Sequence, residues 1–130
     1  MKAEELRIGN YVLDEDREIS KIEQISSDNI HKFTLVSGDA INIYPSNIYP
    51  IPLTEEILLK CGFVKNGNSH LLLNLDNGFN LSAYGYSFRN SKYEVILTDT
   101  INNELTIVKH LHQLQNLYSA LNQEELKITL

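Results

Sequence analysis

The sequence predicts an α+β protein in which a small β-barrel is followed by a helix, an antiparallel β-meander and a covering helix. Three observations predict it. Residues 1–53 alternate short β-prone runs with turn signals. Residues 54–61 have helical spacing behind a capping residue. Residues 110–126 carry the longest stripe of apolar side chains at three- and four-residue spacing. We expect domains at 1–53 and 54–130 that are either separate or share one core.

The N-terminal part contains five short strand signals. Gly9-Asn10 is a turn signal before the first strand, Asp14–Asp16 forms an acidic loop after it, and Ser37-Gly38-Asp39 is a turn between two later strands. Residues 19–25 have isoleucines three apart, as in a helix, but their shortness and composition favour a strand. Prolines exclude a helix or a central strand in residues 45–53. Five short strands in so short a stretch favour a twisted, SH3-like barrel that covers both sheet edges.

The remainder is predicted to form a helix, a meander and a second helix. Thr54 is a good N-cap and Gly62 suits the position after the helix, so a helix of about two turns is expected between them. Asp76-Asn77-Gly78 predicts a tight hairpin, and Gly85 predicts a β-bulge that changes the face of the residues after it. The meander has one apolar face, and residues 110–126 are its predicted cover.

Composition excludes several classes of function. With 17 acidic and 11 basic side chains the net charge is −6, which disfavours binding of nucleic acid through bulk charge. No apolar run approaches the roughly 20 residues of a membrane span, and residues 1–10 lack the apolar region of a secretory signal. The single cysteine, Cys61, cannot form an internal disulfide. We therefore expect a cytoplasmic protein without membrane association.

The residues able to carry chemistry are few. His110 and His112 are two positions apart, roughly 200° around a regular helix, so they cannot bind one metal together and are predicted to be surface or boundary residues. Cys61 lies on the apolar face at a helix end, which favours packing over reactivity. The paired acids, such as Asp14–Asp16, are explained as solvated loops or helix ends. No catalytic, cofactor or metal residue is assigned, and we expect no cofactor and no enzyme activity; a hydrolase or transferase would need a pocket with converging polar groups.

Aromatic residues predict two candidate interaction surfaces. One lies on the predicted barrel, where tyrosines suit binding of extended peptides but also fill barrel rims. The other lies on the strand around Gly85, where alternate aromatics and a cation could stack on bases, unless the bulge turns two of them into the core. The candidate residues are Tyr11, Tyr44 and Tyr49 on the barrel, and Tyr84, Tyr86, Phe88 and Arg89 on the strand.

Three stretches together resemble a known group of proteins. LRIGNYV, PIPLTEEILLKCGF and HLHQLQNLYSALNQEEL are similar, in that order, to small proteins encoded by phages, prophages and mobile elements of Bacteroides-type gut bacteria. The resemblance implies a mobile-element setting and assigns no activity or site residue. Asn122-Gln123 stands where that pattern has a Thr-Gly turn, so the end of the C-terminal helix is left open.

The function expected from the sequence is that of a non-catalytic protein-interaction or accessory module of a phage or mobile element. Its partner is a protein of unknown identity, and the chain itself is expected to be a monomer or weak homodimer. The alternative is a nucleic-acid-binding module, because barrels introduced by a Gly-Asn turn also resemble KOW-type domains that touch RNA. The aromatic strand offers a second route to single-stranded RNA or DNA.

Overall fold

The computed structural model describes residues 5–25, 33–37, 39–43, 48–67, 70–75, 77–87, 92–99, 101 and 103–129. Side chains are described for all of these except 24–25, 33–37, 39–43 and 86–87. Within this part the protein is α+β, with two helices and two antiparallel sheets. The chain divides into two compact units, one of residues 1–51 and 110–116, the other of residues 52–109 and 117–130.

The first unit contains a four-stranded antiparallel sheet in the order β1-β2-β3-β4. Its strands are β1 (Tyr11–Leu13), β2 (Ile19–Ile25), β3 (Phe33–Ser37) and β4 (Asp39–Ile43). The strand predicted over residues 19–25 is confirmed, although its spacing also suited a helix. An isolated bridge pairs Leu13 with Tyr49, so the chain returns to the free side of β1. The described strands form an open sheet, since no pairing in this part joins β4 to the segment around Tyr49.

The second unit contains a five-stranded antiparallel meander in the order β5-β6-β7-β8-β9. Its strands are β5 (Val64–Lys65), β6 (His70–Asn74), β7 (Asn80–Ser87), β8 (Lys92–Thr98) and β9 (Glu104–Val108). The predicted alternation is confirmed in β8, where Tyr93, Val95 and Leu97 are buried. The register shifts between Gly85 and Ser87, which confirms the bulge predicted at Gly85.

The short helix α1 (Glu55–Lys60) begins and ends where the sequence predicts. Thr54 is its N-cap, and its Oγ1 accepts a hydrogen bond from the N–H of Ile57 at 3.3 Å. Gly62 has φ +98°, the left-handed conformation that glycine adopts most easily after a helix. Leu58 and Cys61 are buried, so the predicted apolar face is confirmed.

The C-terminal helix α2 (Leu111–Asn122) is shorter than predicted and divides between the units. It ends at Asn122 because Gln123 takes a left-handed conformation with φ +57°, and Leu126 is buried beyond the helix. Residues 110–116 belong to the first unit, whereas the sequence places the whole helix with residues 54–130.

Each unit has its own set of buried apolar side chains. Burial of one such side chain contributes about 1.5–3 kcal/mol, so each set is large enough to organise its unit. In the first unit the buried residues are Leu6, Val12, Ile22, Ile48, Ile51, Leu111 and Leu114. In the second they are Leu53, Leu58, Cys61, Phe63, Leu71, Leu75, Leu81, Ala83, Tyr93, Val95, Leu97, Val108 and Leu126.

Candidate interaction surface

One side of the N-terminal sheet carries an aromatic surface that we call the tyrosine face. Directly opposite residues of antiparallel strands point to the same side of a sheet. Tyr11 is paired with Lys21, and Leu13 is paired with Ile19 on one side and Tyr49 on the other. The residue between Tyr11 and Leu13 is fully buried on the opposite side. The tyrosine face therefore consists of Tyr11, Leu13, Ile19, Lys21 and Tyr49.

Both tyrosines of this face have a cation over the ring. Arg17 Cζ lies 3.8 Å from the centroid of the Tyr49 ring, and Lys21 Nζ lies 5.9 Å from that of Tyr11. These distances allow a cation–π attraction, which is stronger for the closer arginine. Ile19 is 43% exposed, and the two tyrosines are partly exposed. The tyrosine face is thus an accessible apolar surface bordered by two positive charges.

Arg17 is placed by a turn that is organised around Asp14. The Asp14 carboxylate accepts hydrogen bonds from the N–H groups of Asp16 at 2.9 Å and Glu18 at 3.0 Å, and from the Ser20 hydroxyl at 3.3 Å. Arg17 itself has φ +63°, so the turn passes through a left-handed residue. Asp14 is only 8% exposed, which corrects the prediction of a merely solvated acidic loop: its carboxylate builds the turn.

Tyr11 is placed by a side chain from the far end of the sequence. Its backbone N–H donates to Gln115 Oε1 at 2.9 Å, and Gln115 Nε2 donates to the carbonyl of Gly9 at 3.0 Å. The glutamine is buried, so both bonds are shielded from water. Helix α2 therefore fixes the start of β1 and with it the position of the Tyr11 ring.

A second group of hydrogen bonds extends this connection. Asn116 Oδ1 accepts from Arg7 Nε at 2.6 Å and from Asn10 Nδ2 at 2.9 Å, while Asn116 Nδ2 donates to the carbonyl of Glu5 at 2.9 Å. Asn10 is completely buried, and its Oδ1 accepts from the N–H of Arg7 at 2.7 Å. The LRIGN and HLHQLQN stretches therefore meet in one polar network of the first unit.

A shallow cleft lies beside the tyrosine face. It has a volume of about 420 Å³ and is lined by Ile8, Gly9, Lys21, Ile22 and Glu23. Ile8 is 59% exposed there, and Lys21 is shared between the cleft and the tyrosine face. The cleft therefore adds an apolar recess with one charge of each sign at its border.

The second predicted aromatic surface is only partly described. Tyr84 is 45% exposed and stacks on His70, with 4.5 Å between ring centroids and an interplanar angle of 7°. The backbone of Tyr86 lies in β7, and its side chain is not described. Tyr44, Phe88 and Arg89 lie outside the described residues. Of the predicted candidates, the structure thus joins Tyr11 and Tyr49 on one face and assigns Tyr84 to the other unit.

His112 is buried, contrary to the expectation of a surface or boundary histidine. It is 1% exposed, and within the described residues neither ring nitrogen has a hydrogen-bond partner. Its Nε2 lies 3.8 Å from Glu5 Oε2, and its ring is stacked 6.0 Å from that of His110. Burial lowers the pKa of His112, and the nearby His110 lowers it further, while Glu5 opposes both. The neutral imidazole is therefore the form that the folded unit favours.

Cys61 has the environment of a packing residue. It is 4% exposed, and burial raises the pKa of its thiol to about 12. The thiol therefore stays protonated at neutral pH, and a protonated thiol is a poor nucleophile and metal ligand. In the part of the chain that the structure describes, no three histidine, cysteine, aspartate or glutamate residues are grouped so that they could hold a metal ion.

Sequence reasoning missed the residues that surround the two tyrosines. Arg17 follows the predicted acidic loop Asp14–Asp16 and was given no role, and Lys21 belongs to a predicted strand whose faces were not assigned. The signal that could have found them is the hairpin register, since pairing of Leu13 with Ile19 places Lys21 opposite Tyr11. The contribution of Gln115 and Asn116 depends on tertiary contacts, and local periodicity carries no signal for it.

Comparison with known proteins gives no match, whether against family models, curated protein sequences or solved structures. Neither described helix combines the length and the apolar character that a bilayer crossing requires. The contacts of the chain itself therefore carry the functional argument.

Proposed function

We propose that the protein is a non-catalytic interaction module whose tyrosine face binds an extended segment of a partner protein. The observation that carries this proposal is the alignment of Tyr11 and Tyr49 on one partly exposed side of the sheet, beside the cleft at Ile8. Aromatic side chains supply large contact area at low entropic cost, which is why they are enriched where proteins bind one another.

The chemistry of the tyrosine face suggests what the partner segment contains. Leu13 lies next to both tyrosines, Tyr11 along β1 and Tyr49 across from it, and Ile19 extends this row on the other side of Leu13, so the two aliphatic side chains offer an apolar strip. Lys21 and Arg17 flank this strip and favour a carboxylate at either end of the ligand. The apolar recess at Ile8 suits one aliphatic or aromatic side chain. We expect an extended segment with an apolar anchor and at least one acidic residue.

We also propose that the first unit has SH3-like architecture. In its support, the strands follow one another in an antiparallel meander, and the segment after β4 pairs with β1 through Tyr49. A last segment that returns to the first strand is how small barrels cover their edges. The tyrosine face then corresponds to the kind of aromatic surface on which such barrels bind extended peptides.

A non-catalytic role in the cytoplasm is part of the same proposal. The only thiol of the chain is buried and has a raised pKa, which argues against a cysteine nucleophile. The side chains of the tyrosine face are aromatic, aliphatic and cationic, which suits binding rather than proton transfer. The resemblance of the LRIGNYV and HLHQLQNLY stretches supports an accessory role in a phage or mobile element of Bacteroides-type bacteria.

Selection from a random peptide library against the purified protein tests the proposal. Selected peptides are expected to share an apolar anchor with a nearby Asp or Glu, and to lose binding to Tyr11→Ser and Tyr49→Ser. Tyr84→Ser is the matched control, because Tyr84 is exposed in the other unit. Lys21→Glu is expected to weaken acidic peptides, whereas Lys127→Glu, at another exposed lysine, leaves them unchanged. Peptides that bind equally to all variants would contradict the tyrosine face as the binding site.

Binding of single-stranded nucleic acid is the second candidate function. It is favoured by the two cations that lie over aromatic rings, an arrangement that suits stacked bases with nearby phosphates. The net charge of −6 opposes it. Fluorescence anisotropy with labelled oligo(U) and oligo(dT) at low and moderate salt decides the matter. An increase in anisotropy that becomes smaller at moderate salt and is lost in Lys21→Glu favours nucleic-acid binding. No change in anisotropy at low salt excludes it.

A further inference from the structure

The edge strand β9 of the second unit is exposed along most of its length. It is the last strand in the order β5-β6-β7-β8-β9, and its first four residues are exposed. Leu105 is 51% exposed and Ile107 is 48% exposed, which is unusual for large apolar side chains on a strand edge. An open recess of about 350 Å³ follows the same four residues. Among the described strands β9 pairs only with β8, so its outer side combines an open strand edge with exposed apolar side chains.

We propose that β9 pairs with β9 of a second copy of this chain, antiparallel and centred on Thr106. The register of β8 and β9 shifts between the Leu97–Thr106 and Thr98–Glu104 pairs, so Leu105 has no paired residue on β8. A two-fold axis at Thr106 places Leu105 of each copy opposite Ile107 of the other, so both exposed apolar side chains face an apolar residue of the second copy. The same register places Glu104 opposite Val108, and Asn103 opposite Lys109. No like charges face each other.

Neighbouring registers fit less well. A centre on Ile107 keeps one apolar pair, Ile107 with Ile107 of the other copy, but places Leu105 opposite Lys109 and Glu104 opposite His110. A centre on Leu105 keeps the pair of Leu105 with Leu105 of the other copy, but leaves Ile107 opposite Asn103 and shortens the paired segment. The Thr106 register is therefore the one that pairs both exposed apolar side chains of each copy.

A row of mostly apolar residues crosses the sheet and ends at this edge. Residues in register across the five strands form a row of Val64, Leu72, Ser82, Ile96 and Ile107. Joining two copies at β9 extends this row through Leu105 of the partner and makes one ten-stranded sheet. A single strand pair is small beside the roughly 1,200–2,000 Å² buried in stable interfaces, so the dimer is expected to be concentration-dependent. This inference uses the second unit and does not depend on the proposed function.

Analytical ultracentrifugation of the full chain from micromolar to millimolar concentration tests it. The wild type is expected to shift from monomer to dimer, and Thr106→Lys is expected to stay monomeric because it places two ammonium groups on the axis. Thr129→Lys is the matched control at another exposed threonine and keeps the dimer. A wild type that remains monomeric, as it would if another protein supplied the missing strand, overturns the proposal. A dimer that persists in Thr106→Lys overturns it as well.

Oxidative cross-linking provides a second measurement that does not rely on disruption. Thr106→Cys lies opposite its own copy and is expected to form a disulfide-linked dimer, whereas Thr129→Cys is not. Circular dichroism confirms that each variant is folded. Failure of Thr106→Cys to cross-link more than Thr129→Cys contradicts the register.

Discussion

Asn10 and Asn116 lie 106 positions apart in the chain and share a hydrogen bond of 2.9 Å, from Asn10 Nδ2 to Asn116 Oδ1. Asn10 is also the acceptor for the N–H of Arg7, so its side chain closes the turn before β1 and connects that turn to α2. Removing it takes away this acceptor for the N–H of Arg7 and one donor to Asn116 Oδ1, and the loss of a hydrogen bond that leaves a shielded group unsatisfied costs about 1–3 kcal/mol.

We therefore predict that Asn10→Ala lowers the free energy of unfolding by roughly 2–4 kcal/mol, since two hydrogen bonds are lost at a buried site. Urea denaturation measures the change. Asn74→Ala is the control, because Asn74 is exposed in β6 and the change there should stay within roughly 0.5 kcal/mol. Equal effects of the two substitutions would show that the network contributes nothing.

The two halves of α2 should differ in their sensitivity to truncation. Leu114 is fully buried in the first unit, whereas Leu121 is only partly buried in the second. Leu114→Ala is expected to cost about 2–5 kcal/mol, because it creates a cavity, and Leu121→Ala about 1 kcal/mol or less. Denaturation of both variants under the same conditions checks this. A larger loss for Leu121→Ala would mean that the second half of the helix is its main packing surface.

The strands and helices could largely be predicted because their signals are local. Thr54, Gly62 and Gly85 each act through their own backbone geometry or cap, and the structure places a cap, a left-handed glycine and a bulge where the sequence indicates them. The end of α2 was missed because Gln123 is an unusual residue for a left-handed position. The hydrogen bonds of Gln115 and Asn116 have no local sequence signal, because their partners are distant in sequence.

The candidate site was predictable only in its aromatic residues. Tyrosines on short strands are visible in composition, and Tyr11 and Tyr49 do lie on one face. Arg17 could not be assigned from sequence, because its position over Tyr49 depends on a turn that Asp14 organises. Local propensity predicts elements well, but it carries no information on which side chains meet across a sheet.

The burial of His112 predicts that the folded protein loses stability in mild acid. Its pKa in the folded state lies below the ordinary value of 6.5, so the unfolded chain takes up a proton at higher pH than the folded chain does. Stability is therefore full above 6.5 and falls as pH decreases from there through the lowered pKa. Urea denaturation from about pH 8 to about pH 5 measures this slope.

The His112→Leu variant isolates that contribution. It cannot titrate, so the slope in this pH range is expected to become shallower. The difference in unfolding free energy between the two proteins should stop changing with pH near about pH 8, where both residues are neutral. Parallel slopes for the two proteins would show that another group is responsible for the acid sensitivity.

We predict that the Cys61 thiol does not react while the protein is folded. Because it is buried and its pKa is raised to about 12, reaction with Ellman's reagent at neutral pH is expected only after unfolding in guanidinium chloride. Thr129→Cys adds an exposed thiol and should release one equivalent of chromophore in the native state. Rapid native reaction of the wild type would contradict the burial of Cys61.

We predict that Gln123→Gly stabilises the protein. Its φ of +57° lies in the left-handed region, where a residue with a Cβ is disfavoured by about 1–2 kcal/mol relative to glycine. Gln123→Gly is therefore expected to raise the free energy of unfolding by roughly 0.5–1 kcal/mol, because part of that gain is offset by the greater freedom of glycine in the unfolded chain. Ala120→Gly, an exposed position inside the same helix, should instead lower stability by about 1 kcal/mol. Opposite signs for the same introduced residue, measured by thermal and urea denaturation, would establish that α2 ends at Gln123, and a loss of stability in both variants would place the helix end further along the chain.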